Sequence, residues 1–166
     1  MTLSATVVVE VRTAGSDSNG GGYNSAAAGT DRSQQDAAHV VFDGVTITAT
    51  TAGVSATIVI TGYTVLAGDV GNLLRITGGT NFTVGTYQIS SVDTGLGTWT
   101  LDRNATTGAG AAMTGNMGGA LASPGMAASF KVAGNIVHVK SGTYTLSNTA
   151  NVSAGRINDT TTNSAT

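Results

Sequence analysis

The amino-acid sequence predicts an all-β protein, and three observations support this prediction. Glycine makes up 24 of the 166 residues, proline occurs once, and only 10% of the residues are charged. Valine and threonine are abundant, and β-branched residues favour strands over helices. Apolar and polar residues alternate in several short segments that are separated by glycine-containing turns. We therefore predict one small protein built of many short strands.

The first predicted unit, residues 1–43, contains one strand and a long loop rich in glycine and serine. Thr6–Arg12 reads TVVVEVR, which predicts a strand. Residues 13–38 follow without any period, and a loop of this length is usually functional or packed on a neighbour. Within it we predict one helical turn over Gln34–His39, capped by Ser33. We expect the strand and the loop to act as an attachment segment.

The second predicted unit, residues 44–104, is a small antiparallel β-barrel or sandwich. Its strands begin near Val40, and we expect five or six of them before Arg103. The sequence DTGLG at residues 93–97 predicts a hairpin turn, because a short glycine-containing loop separates two alternating segments. Trp99, the single tryptophan, is predicted to lie in the core. The residues expected to face one another across the hairpin are Tyr87, Ile89 and Val92 on one strand and Trp99 and Leu101 on the other.

The third predicted unit, residues 105–166, joins a small-residue linker to a strand–turn–strand segment and a polar tail. We expect Ala105–Met126 to contact another subunit, because small residues let backbones approach closely; a flexible surface loop is the alternative. Within it, residues 119–125 predict a short helical turn that ends at Pro124. The strand–turn–strand segment follows, with its turn at Gly142.

Three segments carry a resemblance to known proteins. GNIVHVKSGTYTLS at residues 134–147 resembles the opening rung of right-handed parallel β-helix proteins of the pectate-lyase-like superfamily. EVRTAGSDSNGGGYN at residues 10–24 resembles the stretch that precedes this rung. Residues 68–103 are similar to a β module inserted near the N-terminal ends of phage fibre and spike proteins. The resemblance implies an incipient β-helix rung after the β module, although this chain holds at most two rungs where the superfamily has many.

Catalytic groups are sparse, and we expect no enzymatic activity and no cofactor. β-Helix lyases and hydrolases need clustered carboxylates, either to hold Ca²⁺ or to act as an acid–base pair. His39 and His138 are far apart in the sequence, and there is no cysteine. His138 alternates with valines, which predicts an outward strand position. No two acidic residues lie two apart on a predicted strand; they are Glu10, Asp17, Asp31, Asp36, Asp43, Asp69, Asp93, Asp102 and Asp159.

Other classes of binding site are also unsupported by the sequence. Asp17 and Asn19 have the spacing of two oxygen donors in a Ca²⁺ loop, but position 21 is glycine and the distal glutamate is missing. We therefore predict an Asx turn and no metal. The seven basic residues are scattered and the net charge is −2, which argues against nucleic acid. The apolar runs are far shorter than the roughly 18 residues of a membrane span, so no membrane partner is expected.

The open edge of a β-helix rung suggests a role in assembly, because natural proteins cover such edges and a solenoid needs at least about three repeats. Either the chain continues into a longer fibre or the rung packs on copies of itself and on neighbouring proteins. The resemblance implies a virion structural protein of a tailed bacteriophage, a capsid-decorating or fibre/spike-anchoring subunit assembled in the host cytoplasm. We expect a homotrimer with capsid or tail proteins as partners. The residues expected at the assembly contact are Met113, Met117, Leu121, Met126, Val137, Val139 and Tyr144.

Two alternatives remain open at this point. The chain could be the N-terminal part of a carbohydrate-binding or polysaccharide-degrading β-helix protein, with surface glycans as ligands. It could also be a bacterial surface or filament subunit. Turnover of a polysaccharide would favour the first, and continuation of the reading frame into further rungs would favour a longer β-helix.

Overall fold

The computed structural model describes residues 3–45, 47–49, 57–60 and 62–144. For residues 44–45, 47–49 and 57–60 the description covers the backbone alone. In the sequence Val45, Ile47 and Ala49 alternate with threonines, which predicts a half-buried strand; these side chains lie outside the description. Thr145 and Leu146 of the predicted rung also lie outside the described residues. The described residues are mostly strands, which confirms the all-β prediction. These strands are β1 (Val7–Val11), β2 (Gly22–Asn24), β3 (Val40–Val45), β4 (Ile47–Ala49), β5 (Thr57–Ile60), β6 (Leu73–Phe82), β7 (Gly85–Asp93), β8 (Thr98–Leu101), β9 (Thr106–Met117) and β10 (Ile136–Val139).

A seven-stranded sheet forms the larger part of the fold. Its strands lie in the order β3-β9-β6-β7-β8-β5-β4, and every neighbouring pair is antiparallel. The predicted antiparallel strands between Val40 and Arg103 are therefore confirmed. The predicted hairpin is also confirmed, since β7 pairs with β8 and places Ile89 opposite Leu101 and Val92 opposite Trp99. The described strands do not form a closed barrel.

Strand β9 corrects the prediction for the small-residue segment. Residues 106–117 are neither a linker nor a surface loop; they pair with β3 on one side and β6 on the other. The small residues serve close approach inside this sheet. A Cβ on Gly115 would lie 2.2 Å from the carbonyl oxygen of Arg75 on β6. The sheet consequently extends past residue 104, where the sequence suggested a boundary.

The larger core lies against this sheet. Trp99 is fully buried there, as predicted, and its ring meets those of Phe42 and Tyr63 edge-on at centroid distances of 5.6 and 5.7 Å. The buried members of this core are Phe42, Val65, Leu74, Ile76, Tyr87, Ile89, Trp99, Leu101, Ala105, Met113 and Met117.

A three-stranded sheet in the order β10-β1-β2 forms the second layer of structure. β1 pairs antiparallel with β2 and parallel with β10, with Val9 beside Val137 and Val11 beside Val139. Val7, Val9 and Val11 are fully buried in a second core. Its other fully or almost fully buried members are Leu3, Leu73, Leu121 and Ala127.

The helix α1 (Pro124–Phe130) covers part of the second core and corrects a predicted boundary. Pro124 begins this helix rather than ending one, because a proline at the first helical position lacks only an N–H that would be unpaired anyway. Ser123 caps the helix: its hydroxyl oxygen accepts a hydrogen bond from the Met126 N–H at 3.1 Å. No helix in the described part of the chain has the length and apolar character needed to cross a membrane.

The predicted long loop, residues 13–38, is interrupted by β2, which belongs to the three-stranded sheet. Its backbone is hydrogen-bonded to the segment after β9: Gly21 donates to Gly119 at 2.9 Å, and Ala120 donates to Gln35 at 2.7 Å. The predicted helical turn at Gln34–His39 is wrong. The Asp31 carboxylate instead accepts hydrogen bonds from the N–H and the hydroxyl of Ser33, which fixes a turn in place of a helix.

Candidate functional site

The outer edge of β10 is the candidate functional site. β10 lies at the end of the three-stranded sheet, with β1 on one side and no described strand on the other. Two of its large apolar side chains are exposed, Ile136 by 55% and Val139 by 47%. An exposed apolar edge strand is a template for pairing with another strand, and native proteins usually cover or charge such edges.

The backbone hydrogen bonds show which groups point outward. The Lys140 N–H donates to the Val11 carbonyl at 2.9 Å, so the main-chain groups of Lys140 face β1. In a parallel strand pair the direction alternates along the strand. His138 therefore also faces β1, while Val137 and Val139 direct their N–H and C=O groups toward the open side. No described residue hydrogen-bonds to these outward groups.

The described residues cover the second core only incompletely near this edge. Val7, Val9 and Val11 of β1 are fully buried, but five apolar residues on or just after α1 and β10 are only partly buried. The Tyr144 hydroxyl donates to the Lys140 carbonyl at 2.6 Å and approaches the Val11 carbonyl at 3.4 Å, which holds its ring beside the end of β10. The partly buried members of this core are Met126, Phe130, Val132, Val137 and Tyr144.

A histidine–glutamate pair links β10 to β1 on the other face of the sheet. The in-register parallel pairing places His138 beside Glu10, with 3.0 Å between Nδ1 and Oε1. Glu10 is buried while the His138 side chain is 59% exposed, so the predicted outward position of His138 is confirmed. No hydroxyl group of the described residues hydrogen-bonds this imidazole.

Three of the residues predicted at the assembly contact have a different role. Met113 and Met117 are fully buried in the larger core, and Leu121 is fully buried in the second core. From Met113 to Met117 the buried positions of β9 alternate with accessible ones, and both methionines fall on the inner face. Their side chains are not accessible on this chain, which corrects their assignment to a subunit contact.

The other four predicted residues lie in one region. Met126, Val137 and Tyr144 are partly buried in the second core, and Val139 is half exposed at the edge of β10. Ile136 was not predicted, although the alternation of β10 indicates it: Ile136 has the same parity as His138 and shares its outer face.

Asp17 and Asn19, the residues with the spacing of a Ca²⁺ loop, form side-chain hydrogen bonds to segments that are distant along the chain. The Asp17 carboxylate accepts hydrogen bonds from the N–H groups of Ala122 and Ser123 and from the Ser123 hydroxyl. The Asn19 amide donates to the carbonyls of Asp36 and Ala120, both at 2.9 Å. Among the residues whose positions are described, no three of the types His, Cys, Asp and Glu are grouped so that they could bind a metal.

Comparisons with known proteins give no relative. A scan against protein-family models, a search of curated proteins and a search of solved structures each found no match for this chain.

Proposed function

We propose that this chain is a virion structural protein of a tailed bacteriophage, a capsid-decorating or fibre/spike-anchoring subunit that acts by protein–protein assembly. The single observation that carries the proposal is the edge of β10, which no described strand pairs and which has Ile136 and Val139 exposed on it. The subunit forms a homotrimer and attaches to capsid or tail proteins. The phage context comes from the sequence resemblance, and the edge supplies the means of association.

The parallel pairing of β1 with β10 supports the β-helix part of the proposal. Successive rungs of a parallel β-helix stack strand on strand in parallel register, and each rung buries its apolar face only when another rung covers it. β1 and β10 are paired in this manner, and no described strand covers the other side of β10. The seven-stranded sheet is then a module inserted between the two strands of this stack.

The side of β1 that faces away from β10 is already paired with β2. Assembly through this sheet is therefore expected at β10. β2 lies along the other side of β1, and β2 is itself bridged to Asn72 through Tyr23. The Asn24 N–H further donates to the Gly71 carbonyl at 2.8 Å. The three-stranded sheet therefore merges with the rest of the fold at β2 and ends at β10.

A proline substitution at the outward position tests this edge. Val139→Pro removes an N–H that faces away from β1, so the ladder to β1 remains while pairing with another subunit is lost. We expect the variant to sediment as a monomer at concentrations where the unmodified chain is a trimer, with the near-ultraviolet circular dichroism of Trp99 unchanged.

The matched control is Val41→Lys, which adds a charge at a 64% exposed valine on β3 in the other sheet. It should leave the trimer intact. A Val139→Pro variant that still forms trimers would refute assembly through β10.

The same parallel pairing also favours a second candidate, the N-terminal part of a carbohydrate-binding or polysaccharide-degrading β-helix protein. A longer β-helix would continue from β10 and could hold its glycan site on later rungs. Saturable binding of a bacterial surface polysaccharide by this chain, or its cleavage, would favour this candidate over a purely structural subunit.

A further inference from the structure

Two basic side chains lie next to each other just before β3. Arg32 belongs to the segment 13–38 and His39 immediately precedes β3, and both are half-buried. A Cβ on Gly118 would lie 2.8 Å from the Cβ of Arg32 and 3.2 Å from the Cβ of His39, so both side chains start beside this glycine. Burial lowers the pKa of His39, and the nearby charge of Arg32 lowers it further. The guanidinium and the imidazole are therefore close neighbours.

Neither basic group has an acceptor among the residues that the structure describes. The side chains of Arg32 and His39 form no hydrogen bond or ion pair there, and the Nε of Arg32 is buried without a partner. The buried Nε of Arg12 is also unpartnered, but that guanidinium lies 3.7 Å from the carboxylate of Asp36. Burial of a charged donor without an acceptor costs free energy, and a bound anion would remove that cost.

The nearby carboxylate of Asp69 does not serve as this acceptor. It is close enough to oppose the lowering of the His39 pKa, but it forms no ion pair with Arg32 or His39. Its oxygens accept hydrogen bonds from the Tyr63 hydroxyl and the Trp99 indole N–H instead. When His39 is protonated, two positive charges stand near this single buried negative charge.

A third donor lies beside the Arg32 guanidinium. A Cβ on Gly68 would lie 3.0 Å from the Thr30 hydroxyl oxygen and 3.8 Å from a terminal nitrogen of Arg32. Thr30 is exposed, and within the described part of the chain its hydroxyl makes no hydrogen bond. A guanidinium, an imidazolium and a hydroxyl together offer more donors than the two oxygens of a carboxylate use in one plane. They suit an anion with acceptor oxygens in several directions.

We propose that Thr30, Arg32 and His39 form a binding site for a free tetrahedral oxyanion, inorganic phosphate or sulfate. Arg32 donates through its guanidinium, protonated His39 supplies a second positive charge, and the Thr30 hydroxyl donates to a further oxygen. Binding strengthens as the pH falls, because the anion favours the protonated imidazole. β10 takes no part in the site, and the proposal does not depend on a role in a virion.

An NMR titration of the unmodified chain with sodium sulfate tests the site, with sodium chloride at equal ionic strength as the reference. We expect saturable shifts of the Arg32 Nε–H and of the His39 imidazole. The Arg12 Nε–H and the imidazole of His138, which is paired with Glu10, should not move. The affinity for sulfate should fall about tenfold between about pH 5 and pH 8 as His39 loses its proton. Acetate, a planar carboxylate, should bind more weakly than sulfate.

Two variants assign the binding to these side chains. Arg32→Gln should lower the affinity for sulfate at least about tenfold, and His39→Gln should abolish its pH dependence. The matched control is Arg12→Gln, which removes a similarly half-buried guanidinium and should leave the affinity unchanged. The near-ultraviolet circular dichroism of Trp99 reports whether each variant keeps the native core.

Four results would overturn the proposal. In the unmodified chain these are shifts that do not saturate, shifts as large at His138 as at His39, and tighter binding of acetate than of sulfate. The fourth is an affinity for sulfate that survives Arg32→Gln in a folded variant. The mass of the protein in solution reports on trimer formation separately, so failure of one proposal is distinguishable from failure of the other.

Discussion

Asp69 is a carboxylate that the larger core encloses completely. It is 0% exposed and accepts three hydrogen bonds: from the Tyr63 hydroxyl at 2.9 Å, the Leu66 N–H at 3.0 Å and the Trp99 indole N–H at 3.1 Å. It thereby ties a short 3-10 helix, Ala67–Asp69, to the aromatic cluster. From the sequence, Asp69 was recognisable only as an acidic residue next to a glycine. Its hydrogen bond to Trp99 was not predictable, because Trp99 is distant along the chain.

Replacement of Asp69 by asparagine should destabilise the protein. Asn offers one acceptor oxygen and places an NH₂ group among donors, so at least one buried donor loses its partner. We expect the free energy of unfolding to fall by about 2–3 kcal/mol and the melting temperature by about 5–10 °C, measured by circular dichroism. The exposed control, Asp43→Asn, should stay within about 0.5 kcal/mol of the unmodified chain. Equal stability of both variants would contradict the role of Asp69.

Buried tyrosines predict a loss of stability at alkaline pH. Burial, reinforced by the hydrogen bond to Asp69, raises the pKa of Tyr63, and burial likewise raises the pKa of Tyr87 and of Tyr23. A raised pKa means that the folded state favours the neutral phenol. This stabilisation is complete below the ordinary tyrosine pKa of about 10 and is lost as the pH rises through the folded-state pKa values.

Chemical denaturation between pH 8 and 12, followed together with tyrosinate absorbance, should show the free energy of unfolding falling above about pH 10. Tyr63→Phe should reduce the slope of that fall. Titration of all the tyrosines near pH 10 in the folded protein, with no loss of stability, would contradict the expectation.

Among the elements, the loop of residues 13–38 depends on glycines where backbones approach one another. A Cβ on Gly20 would lie 1.9 Å from the Leu73 carbonyl oxygen, inside the junction of the two sheets. The sequence predicted one long loop over Thr13–Ala38 and missed the strand β2 (Gly22–Asn24) within it. It also gave no sign that the rest of this segment is packed internally. The close contacts come from residues about fifty to one hundred positions away, and no local pattern encodes them.

Two glycine-to-alanine substitutions distinguish a glycine that is required by close packing from one that only adds backbone flexibility. Gly20→Ala should destabilise the protein by at least about 2 kcal/mol, because the new Cβ collides with backbone. Gly125→Ala, in the exposed first turn of α1, meets no atom nearer than 4.0 Å. It should stabilise the protein by about 0.5–1 kcal/mol through helix propensity. Urea unfolding measures both, and destabilisation of similar size in the two variants would contradict the packing account.

Local and non-local elements differed in how well the sequence predicted them. The hairpin of β7 and β8 follows from alternation around one glycine turn, so it was predictable. β9 was not, because its alanines and glycines lack the branched side chains that indicate strands, and pairing with β3 and β6 overrides that weak preference. The pairing of β1 with β10 joins segments that are distant along the chain. The alternation of apolar and polar residues predicts each strand, but it does not predict which strands pair. The resemblance to a β-helix rung predicted an open edge; among the described strands the fold assigns that edge to β10 and identifies β1 as the partner on its other side.

At the scale of the whole molecule, β6 connects the two cores. Leu73 is buried in the second core and its neighbour Leu74 in the larger one, so successive residues of one strand face different layers. The Gly118 N–H also donates to the Leu73 carbonyl at 3.1 Å, beside the end of β9. The three-stranded sheet is thus anchored to the rest of the protein at one side and ends at β10 on the other. This asymmetry is the reason to place assembly at β10.

Sedimentation equilibrium of the unmodified chain over a wide concentration range tests the central claim most directly. A subunit that assembles through β10 should reach three times the 16.4 kDa of a single chain, with dissociation on dilution. A mass of 16.4 kDa that does not change with concentration would contradict assembly of the chain with itself through this edge.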